Sequence, residues 1–206
     1  MSGAFPISTA KFGTLGIKSI QNTIISQSVS GKRLVRQIDN QRWAFSVQII
    51  TGKRSDVYGE LMAFIVKQRG QKETFTIIPP ELEDARGNEA GTVLIDGVHA
   101  VGDTTILMNG FGADGAGRFK AGDFLKFASH SKVYMVVEDV TSSSNAATVT
   151  IEPPLLIALV NDSVVTYDNI PFTVSLTTDV QEFGVSGADK DGNLYYEYQF
   201  DVEEAL

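Results

Sequence analysis

Short alternating strands separated by tight turns constrain the fold of this chain more than any other feature of its sequence. The clearest run lies between Lys120 and Leu155. A Gly-Asp turn precedes a first alternating strand, a short polar turn leads to a second, and a third strand stops at paired prolines. This arrangement is typical of a small β-barrel, and the sequence therefore predicts a mainly β fold.

One segment departs from the strand pattern. Between Asp56 and Arg69, apolar residues recur at the spacing of one helix face. Ser55 or Asp56 is predicted to cap the start of this helix, and Gly70 to end it. Because other segments, such as Trp43–Ile49, alternate like strands, we expect one helix in an otherwise β-rich chain.

Two proline pairs, Pro79-Pro80 and Pro153-Pro154, divide the chain. Paired prolines cannot supply the hydrogen bonds of a β-ladder, so they suit strand exits where two domains meet. Between the pairs lies an acidic, glycine-rich block with apolar positions of its own. We therefore predict that residues 81–157 form a domain inserted into a host domain made of residues 1–80 and 158–206.

Charge is unevenly distributed along the chain. The net charge is +7 over residues 1–80, −6 over 81–157 and −9 over 158–206. The basic and acidic thirds either pair within one fold or meet across a head-to-tail subunit contact, where complementary charge fixes the register. Contact with nucleic acid is disfavoured because aromatic residues are not interleaved with the basic ones. The candidate subunit-interface residues are Lys32, Arg33, Arg36, Asp201, Glu203 and Glu204.

Composition excludes several classes of site. The chain has no cysteine, so it has neither disulfides nor thiolate metal ligands. Its hydrophobic fraction of 43% is sufficient for a globular core. No apolar run approaches the roughly 18 residues of a membrane-spanning helix, and the N-terminus lacks the pattern of a secretory signal.

The sequence contains no catalytic constellation. A Gly-x-Gly-x-x-Gly pattern starts at Gly110, but a turn and a strand follow it where a nucleotide site needs a helix. Asp189, Asp191 and Asn193 have the alternate spacing of a calcium loop, yet the turn glycine and the twelfth position do not fit one. No nucleophile elbow accompanies the two histidines. We therefore predict a protein that is not an enzyme and has no cofactor or metal site.

The barrel segment resembles the inserted domain of the distal tail proteins of long-tailed siphophages, of the type with an OB-like insertion. The resemblance rests on the turn Lys120-Ala121-Gly122-Asp123, the apolar strand after it, His130, and Lys132-Val133-Tyr134. The rest of the chain agrees with that family in order. It has a glycine-rich turn at Phe12–Gly16, the Trp43 strand, the helix, the Pro79-Pro80 exit, and the short tail Glu203–Leu206.

The resemblance implies a tail-tube-like β-sandwich or barrel as the host domain, with a small OB-like β-barrel inserted into it. It further implies a non-enzymatic structural protein of the virion. Six copies would form a ring at the distal end of the tail, joining the tail tube to the tail hub or baseplate and offering an attachment platform for side tail fibres. DNA would pass through this ring without specific binding. Assembly would take place in the host cytoplasm, away from any membrane.

Two alternatives stay open. The first is a carbohydrate- or receptor-binding module of the tail tip, in which Tyr134 is the candidate residue for stacking on a ligand. The second is another tail component, such as a tube or tube-terminator subunit.

Overall fold

The computed structural model describes residues 1–7, 11–38 and 40–206. The fold of these residues is mainly β with one α-helix, as the sequence predicts. The helix, α1, is Gly59–Lys67. The strands in chain order are β1 (Phe12–Ile20), β2 (Thr23–Gln27), β3 (Arg33–Gln37), β4 (Arg42–Lys53), β5 (Phe75–Ile77), β6 (Leu94–Ile95), β7 (Thr105–Asn109), β8 (Gly115–Ala116), β9 (Phe124–Phe127), β10 (Val133–Val136), β11 (Thr141–Ser142), β12 (Ala146–Glu152), β13 (Val165–Thr166), β14 (Phe172–Leu176), β15 (Gly184–Ala188) and β16 (Leu194–Glu204).

The first sheet is built around the two longest strands, β4 and β16. Its order is β1-β4-β16-β14-β5, with β15 also paired to β16, and every pairing is antiparallel. Phe45 and Val47 of β4 lie opposite Val202 and Phe200 of β16, and all four are buried. Because neighbouring residues of a strand point to opposite faces, the alternation produces one packed face and one polar face.

Helix α1 belongs to the core of the first sheet. Leu61 and Ile65 are buried in the same cluster as the inward-facing residues of β4 and β16. The predicted helix is therefore confirmed in position, although it ends at Lys67. The backbone then turns through the left-handed residues Arg69 and Gly70.

The start of the helix differs from the sequence prediction. A π-helical turn, Arg54–Tyr58, precedes α1, and the predicted caps Ser55 and Asp56 lie inside it. The backbone N–H of Gly59 donates to the carbonyl of Arg54. A Cβ atom on Gly59 would lie 2.7 Å from that carbonyl oxygen, so the tight turn itself requires a glycine at this position.

The second sheet is nearly closed into a small barrel, in agreement with the sequence prediction. Its order is β13-β9-β10-β12-β7-β6. Backbone hydrogen bonds join its two edges, since Ile95 donates to Ser163 at 3.0 Å and Val165 donates to Val93 at 3.0 Å. Strand β13 lies beyond residue 157, the predicted end of the inserted domain.

The Lys120–Asp123 turn owes its shape to the Asp123 carboxylate. That side chain is fully buried and accepts hydrogen bonds from the backbone N–H groups of Arg86, Gly87 and Lys120, at 3.0, 3.2 and 2.8 Å. Gly122 has a φ of +96°, a conformation that other residues rarely adopt. One carboxylate thus holds the backbone at Arg86 and Gly87 against the turn before β9.

Strands β9 and β10 contribute to both hydrophobic cores. Phe124 and Val133 pack into the core of the first sheet, whereas their neighbours Leu125 and Tyr134 pack inside the barrel. The ring centroid of Phe124 lies 5.2 Å from that of Trp43 in β4, in an edge-on arrangement. The two strands therefore form a wall shared by the two sheets.

Candidate interaction surfaces

A buried polar cluster joins the first sheet to the barrel. We call its members, Gln41, Trp43, Lys132, Val133 and Glu204, the junction cluster. The Lys132 ammonium donates to the Glu204 carboxylate and, at 2.8 Å, to the side-chain oxygen of Gln41. The backbone N–H groups of Val133 and Trp43 donate to the same carboxylate at 2.8 and 3.1 Å. The indole N–H of Trp43 donates to the carbonyl of Val133 at 2.9 Å.

Burial governs the electrostatics of the junction cluster. The side chains of Lys132 and Glu204 are 2% and 0% exposed. Burial lowers the pKa of Lys132, and the neighbouring Glu204 acts in the opposite direction. Either charge left alone in this position would be strongly unfavourable, so each of the two stabilises the other.

Glu204 is therefore not a surface acid, which corrects its selection as a subunit-interface residue. The signal for its position is present in the sequence. Tyr198, Phe200 and Val202 alternate along β16 on the buried face, and Glu204 continues the same alternation. Its buried partner Lys132 has no such signal, because it precedes β10 instead of lying within it.

Strands β2 and β3 form a hairpin that belongs to neither of the two large sheets. We call residues 23–37 the arm. Both of its strands are exposed along their whole length. Lys32, Arg33 and Arg36 lie on the arm, and the sequence has no acidic residue between Ile20 and Ile38. The three basic candidates are thus all presented to solvent on one projecting element.

The arm also exposes large apolar side chains. Ile24, Ile25, Leu34 and Val35 are each more than half exposed, at 53 to 57%. A two-stranded hairpin without a supporting layer is only marginally stable in water. Contiguous exposed apolar side chains generally mark an interaction site. The arm is therefore the strongest candidate for a partner-binding element in the described part of the chain.

The polar face of the first sheet carries the remaining acidic candidates. Asp201 is exposed and accepts a hydrogen bond from the hydroxyl of Ser46. Glu203 is half-buried and pairs with the guanidinium of Arg42 at 2.9 Å. Among the residues that the structure describes, no ion pair connects either acid to the arm. A single copy therefore does not bring the basic and acidic candidates together.

Tyr134 lies inside the barrel, which corrects the expectation that it is available for stacking. Its ring is fully buried, with its centroid 5.1 Å from that of Phe127. Its hydroxyl lies 2.9 Å from Nδ1 of His130 and accepts a hydrogen bond from the backbone N–H of Leu156 at 3.2 Å. Burial raises the pKa of Tyr134 to about 12 and lowers that of His130. Both residues therefore support the barrel from within.

The glycine-rich loop is filled by a carboxylate of its own chain. One oxygen of Glu89 accepts hydrogen bonds from the backbone N–H groups of Gly91 and Gly112, at 2.6 and 2.7 Å. The other oxygen lies 3.7 Å from the guanidinium of Arg118. Backbone amides of this kind are the groups that hold phosphate in nucleotide sites. A phosphate would have to displace Glu89 to bind here.

The calcium-like spacing near the C-terminus belongs to a hairpin turn. Asp189 accepts hydrogen bonds from Lys53 at 2.7 Å and from the backbone and side chain of Asn193 at 2.9 Å. These bonds hold the pKa of Asp189 well below its usual range. Over residues 1–7, 11–38 and 40–206, no group of three or more His, Asp or Glu side chains is arranged to hold a metal ion. Within the same ranges, no helix has the length and apolar character needed to span a membrane.

A comparison with known families identifies the barrel region. Residues 82–170 match the family model described as distal tail protein pb9, B domain. The match includes β6 to β13, and so it contains the whole second sheet together with the separate pair β8 and β11. No curated protein matches the chain. The family match confirms the resemblance to distal tail proteins that the sequence analysis describes.

Proposed function

We propose that this protein, a phage tail structural protein carrying a distal tail protein B domain, forms the ring that connects the tail tube to the tail tip. In this proposal six copies surround a channel at the distal end of the tail. Their upper face contacts the tail tube protein, and their lower face contacts the hub or baseplate. The ring assembles in the host cytoplasm and serves as a platform to which side tail fibres attach.

The observation that carries this proposal is the match of residues 82–170 to the B domain of a distal tail protein. We propose that this segment, with β13 included, is the inserted domain, in place of residues 81–157. The host domain then consists of the first sheet and α1, and the barrel is an OB-like domain. The junction cluster supports this assignment, because it holds the barrel in one orientation on the host sheet.

The polar face of the first sheet supports a role in lining the channel. Ser46, Gln48, Gln199 and Asp201 alternate with buried residues on β4 and β16 and remain at least partly accessible. The chain as a whole carries a net charge of −8. The four named side chains are neutral or acidic, and the ammonium of Lys18 is held by a hydrogen bond to Ser46 at 3.1 Å, so we expect DNA to pass through without specific binding.

The arm supports ring formation. It presents Lys32, Arg33 and Arg36 on a projecting hairpin, while Asp201 and Glu203 lie on a different surface of the same chain. A contact between two different surfaces of identical copies is heterologous and generates a ring when its rotation closes. These five residues remain the proposed interface candidates: the three basic residues act through the arm, and Asp201 and Glu203 act where the first sheets of neighbouring copies meet around the channel.

Immunogold electron microscopy of native phage tails tests the proposed position. The expected result is label confined to the distal end of the tail, together with six-fold rings in preparations of the purified protein or of disrupted tails. Label along the whole tube would instead identify a tube subunit, and label at the opposite end a terminator. The absence of label from tails would contradict the proposal.

Charge reversal tests the role of the arm in assembly. The double variant Arg33→Glu/Arg36→Glu should lose incorporation into tails, because it inverts the charge of the arm without touching a core. The matched control is Lys67→Glu/Arg69→Glu, which reverses two basic residues at the end of α1 and should assemble normally. Normal ring formation by the arm variant would sink the assignment of these arginines.

A further inference from the structure

A second exposed apolar surface lies on the barrel. Residues 96–103 and 155–164 run side by side there, and His99 and Leu159 exchange backbone hydrogen bonds of 3.2 and 2.9 Å. Both side chains are buried, whereas the adjoining Val98 and Val160 are 76% and 62% exposed. Val101 and Ile157, on the same two segments, are also at least half exposed. We call Val98, Val101, Ile157 and Val160 the patch.

Acidic residues surround the patch. Asp96 and Asp162 are exposed at one end of the paired segments, and Asp103 is 44% exposed at the other. The sequence has no lysine or arginine between Arg86 and Arg118, and none between Lys132 and Lys190. The patch is therefore an apolar surface with an acidic rim, on a part of the chain that supplies no positive charge of its own.

We propose that the arm of one copy docks onto the patch of a second copy of the same chain. The inference rests on the proposed ring and names the surface that receives the arm. The two surfaces are complementary in composition. The arm has five exposed aliphatic side chains and three basic ones, and the patch has four exposed aliphatic side chains and three acids around it. Apolar contact supplies the affinity, and opposite charge selects the register.

The position of the arm fits a contact between copies. Its base lies beside the patch of its own chain, where a cleft of about 440 Å³ is lined by Gln37 and Ile38 on one side and by Val101 and Leu156 on the other. From this base the five-residue strands of the arm extend about 17 Å. Ile24, Ile25, Leu34 and Val35 along them are more than half exposed, so the arm is not packed onto the patch of its own chain. Docking on the next copy buries both surfaces at once.

Disulfide trapping tests the proposed contact directly. The chain has no cysteine, so Ile25→Cys on the arm and Val160→Cys on the patch introduce the only thiols. The two variants, carrying tags of different mass, are assembled together into phage tails and oxidised. The expected product is a covalent dimer containing both tags. The matched control replaces Val160→Cys by Val66→Cys, a 72% exposed valine on α1, and should give no mixed dimer above background.

A charge substitution provides the second test. Val98→Glu/Val160→Glu should abolish incorporation into tails while leaving the melting temperature unchanged, because both side chains are already exposed. Val66→Glu should assemble normally.

Normal rings from the patch variant without the mixed dimer would overturn the docking site yet leave the connector function intact. A crosslink from the arm to the tube or hub protein would overturn the second copy as its occupant. Failure of the unmodified protein to appear at the distal end of tails would contradict the proposed function itself.

Discussion

The junction cluster and the arm combine aliphatic or aromatic side chains with basic ones, yet they use them in opposite ways. In the junction cluster the one lysine is buried, and its ammonium donates to the Glu204 carboxylate and to the side-chain oxygen of Gln41. On the arm the three basic residues and their apolar neighbours are open to solvent. The first region fixes the relation between two parts of one molecule, and the second is available to another molecule.

The comparison separates what stability requires from what assembly requires. Removing one partner from the junction cluster leaves the other charge buried and unpaired, which is strongly unfavourable. The large apolar side chains of the arm are exposed, so removing one of them takes away little packing within the isolated chain. Substitutions in the junction cluster should therefore lower the free energy of unfolding strongly. Substitutions on the arm should leave that free energy nearly unchanged.

The largest expected effect comes from Glu204→Ala. The variant leaves the Lys132 charge unpaired inside the protein and deprives two backbone N–H groups of their acceptor, so it should lose about 3–5 kcal/mol of unfolding free energy. Chemical denaturation measures this loss. The control is Glu203→Ala, which removes a partly exposed pair with Arg42 and should cost no more than about 1 kcal/mol. Equal losses in the two variants would show that burial of the pair is not what matters.

A smaller effect is expected from Asp123→Asn. Asp123 is also a buried carboxylate. It accepts hydrogen bonds from three backbone N–H groups and from Nε of Arg86, and none of these four donors belongs to the junction cluster. Replacing the charged acceptor by an amide should lower the unfolding free energy by about 1–3 kcal/mol. The exposed Asp139, which accepts one hydrogen bond from Ala121, provides the control Asp139→Asn. If Asp123→Asn lowered the free energy of unfolding as much as Glu204→Ala does, the predicted order of the two effects would be wrong.

The third effect is a pH dependence at His130. Because burial lowers the pKa of His130, the unfolded chain takes up its proton at a higher pH than the folded protein does. Folding stability attributable to this residue is therefore lost as the pH falls through the unfolded value near 6.5 toward the lower folded value. The melting temperature of His130→Asn should decline less than that of the unmodified protein between about pH 7 and pH 5.5. If the melting temperatures of the two proteins fell in parallel, His130 would not be the cause of the pH dependence. The carboxylates, which titrate equally in both proteins, would then account for it.

The smallest effect on stability is expected for the arm. Arg33→Glu/Arg36→Glu should change the unfolding free energy by no more than about 0.5 kcal/mol, because both side chains are exposed. Differential scanning calorimetry beside the tail-incorporation assay makes the contrast with Glu204→Ala explicit. A clear loss of stability in the arm variant would mean that the arm is supported by its own chain after all.

The sequence predicts the local structure well and the partnerships poorly. Alternation of apolar residues identifies β4, β9, β10 and β16, and helical spacing identifies α1, since these patterns record which side of each element is buried. The pairing of Lys132 with Glu204 joins residues 72 positions apart, and no local pattern predicts it. Strand β3 contains Leu34 and Val35, which also suit a buried strand, so the sequence alone does not show that the arm stands free. The expectation that Tyr134 is available for stacking failed because Val133, Tyr134 and Met135 are consecutive residues of an apolar strand, and the sequence does not show which of them face the barrel interior.

The shared wall of β9 and β10 has a mechanical consequence. Since each of these strands places alternate side chains in two cores, the barrel cannot rotate against the first sheet without pulling Phe124 and Val133 out of a packed interior. A load applied to the barrel would pass directly into β4 and β16 through these side chains and the Trp43–Val133 hydrogen bond. The barrel and the first sheet are thus expected to move as one rigid unit under load, and bending is expected in the arm.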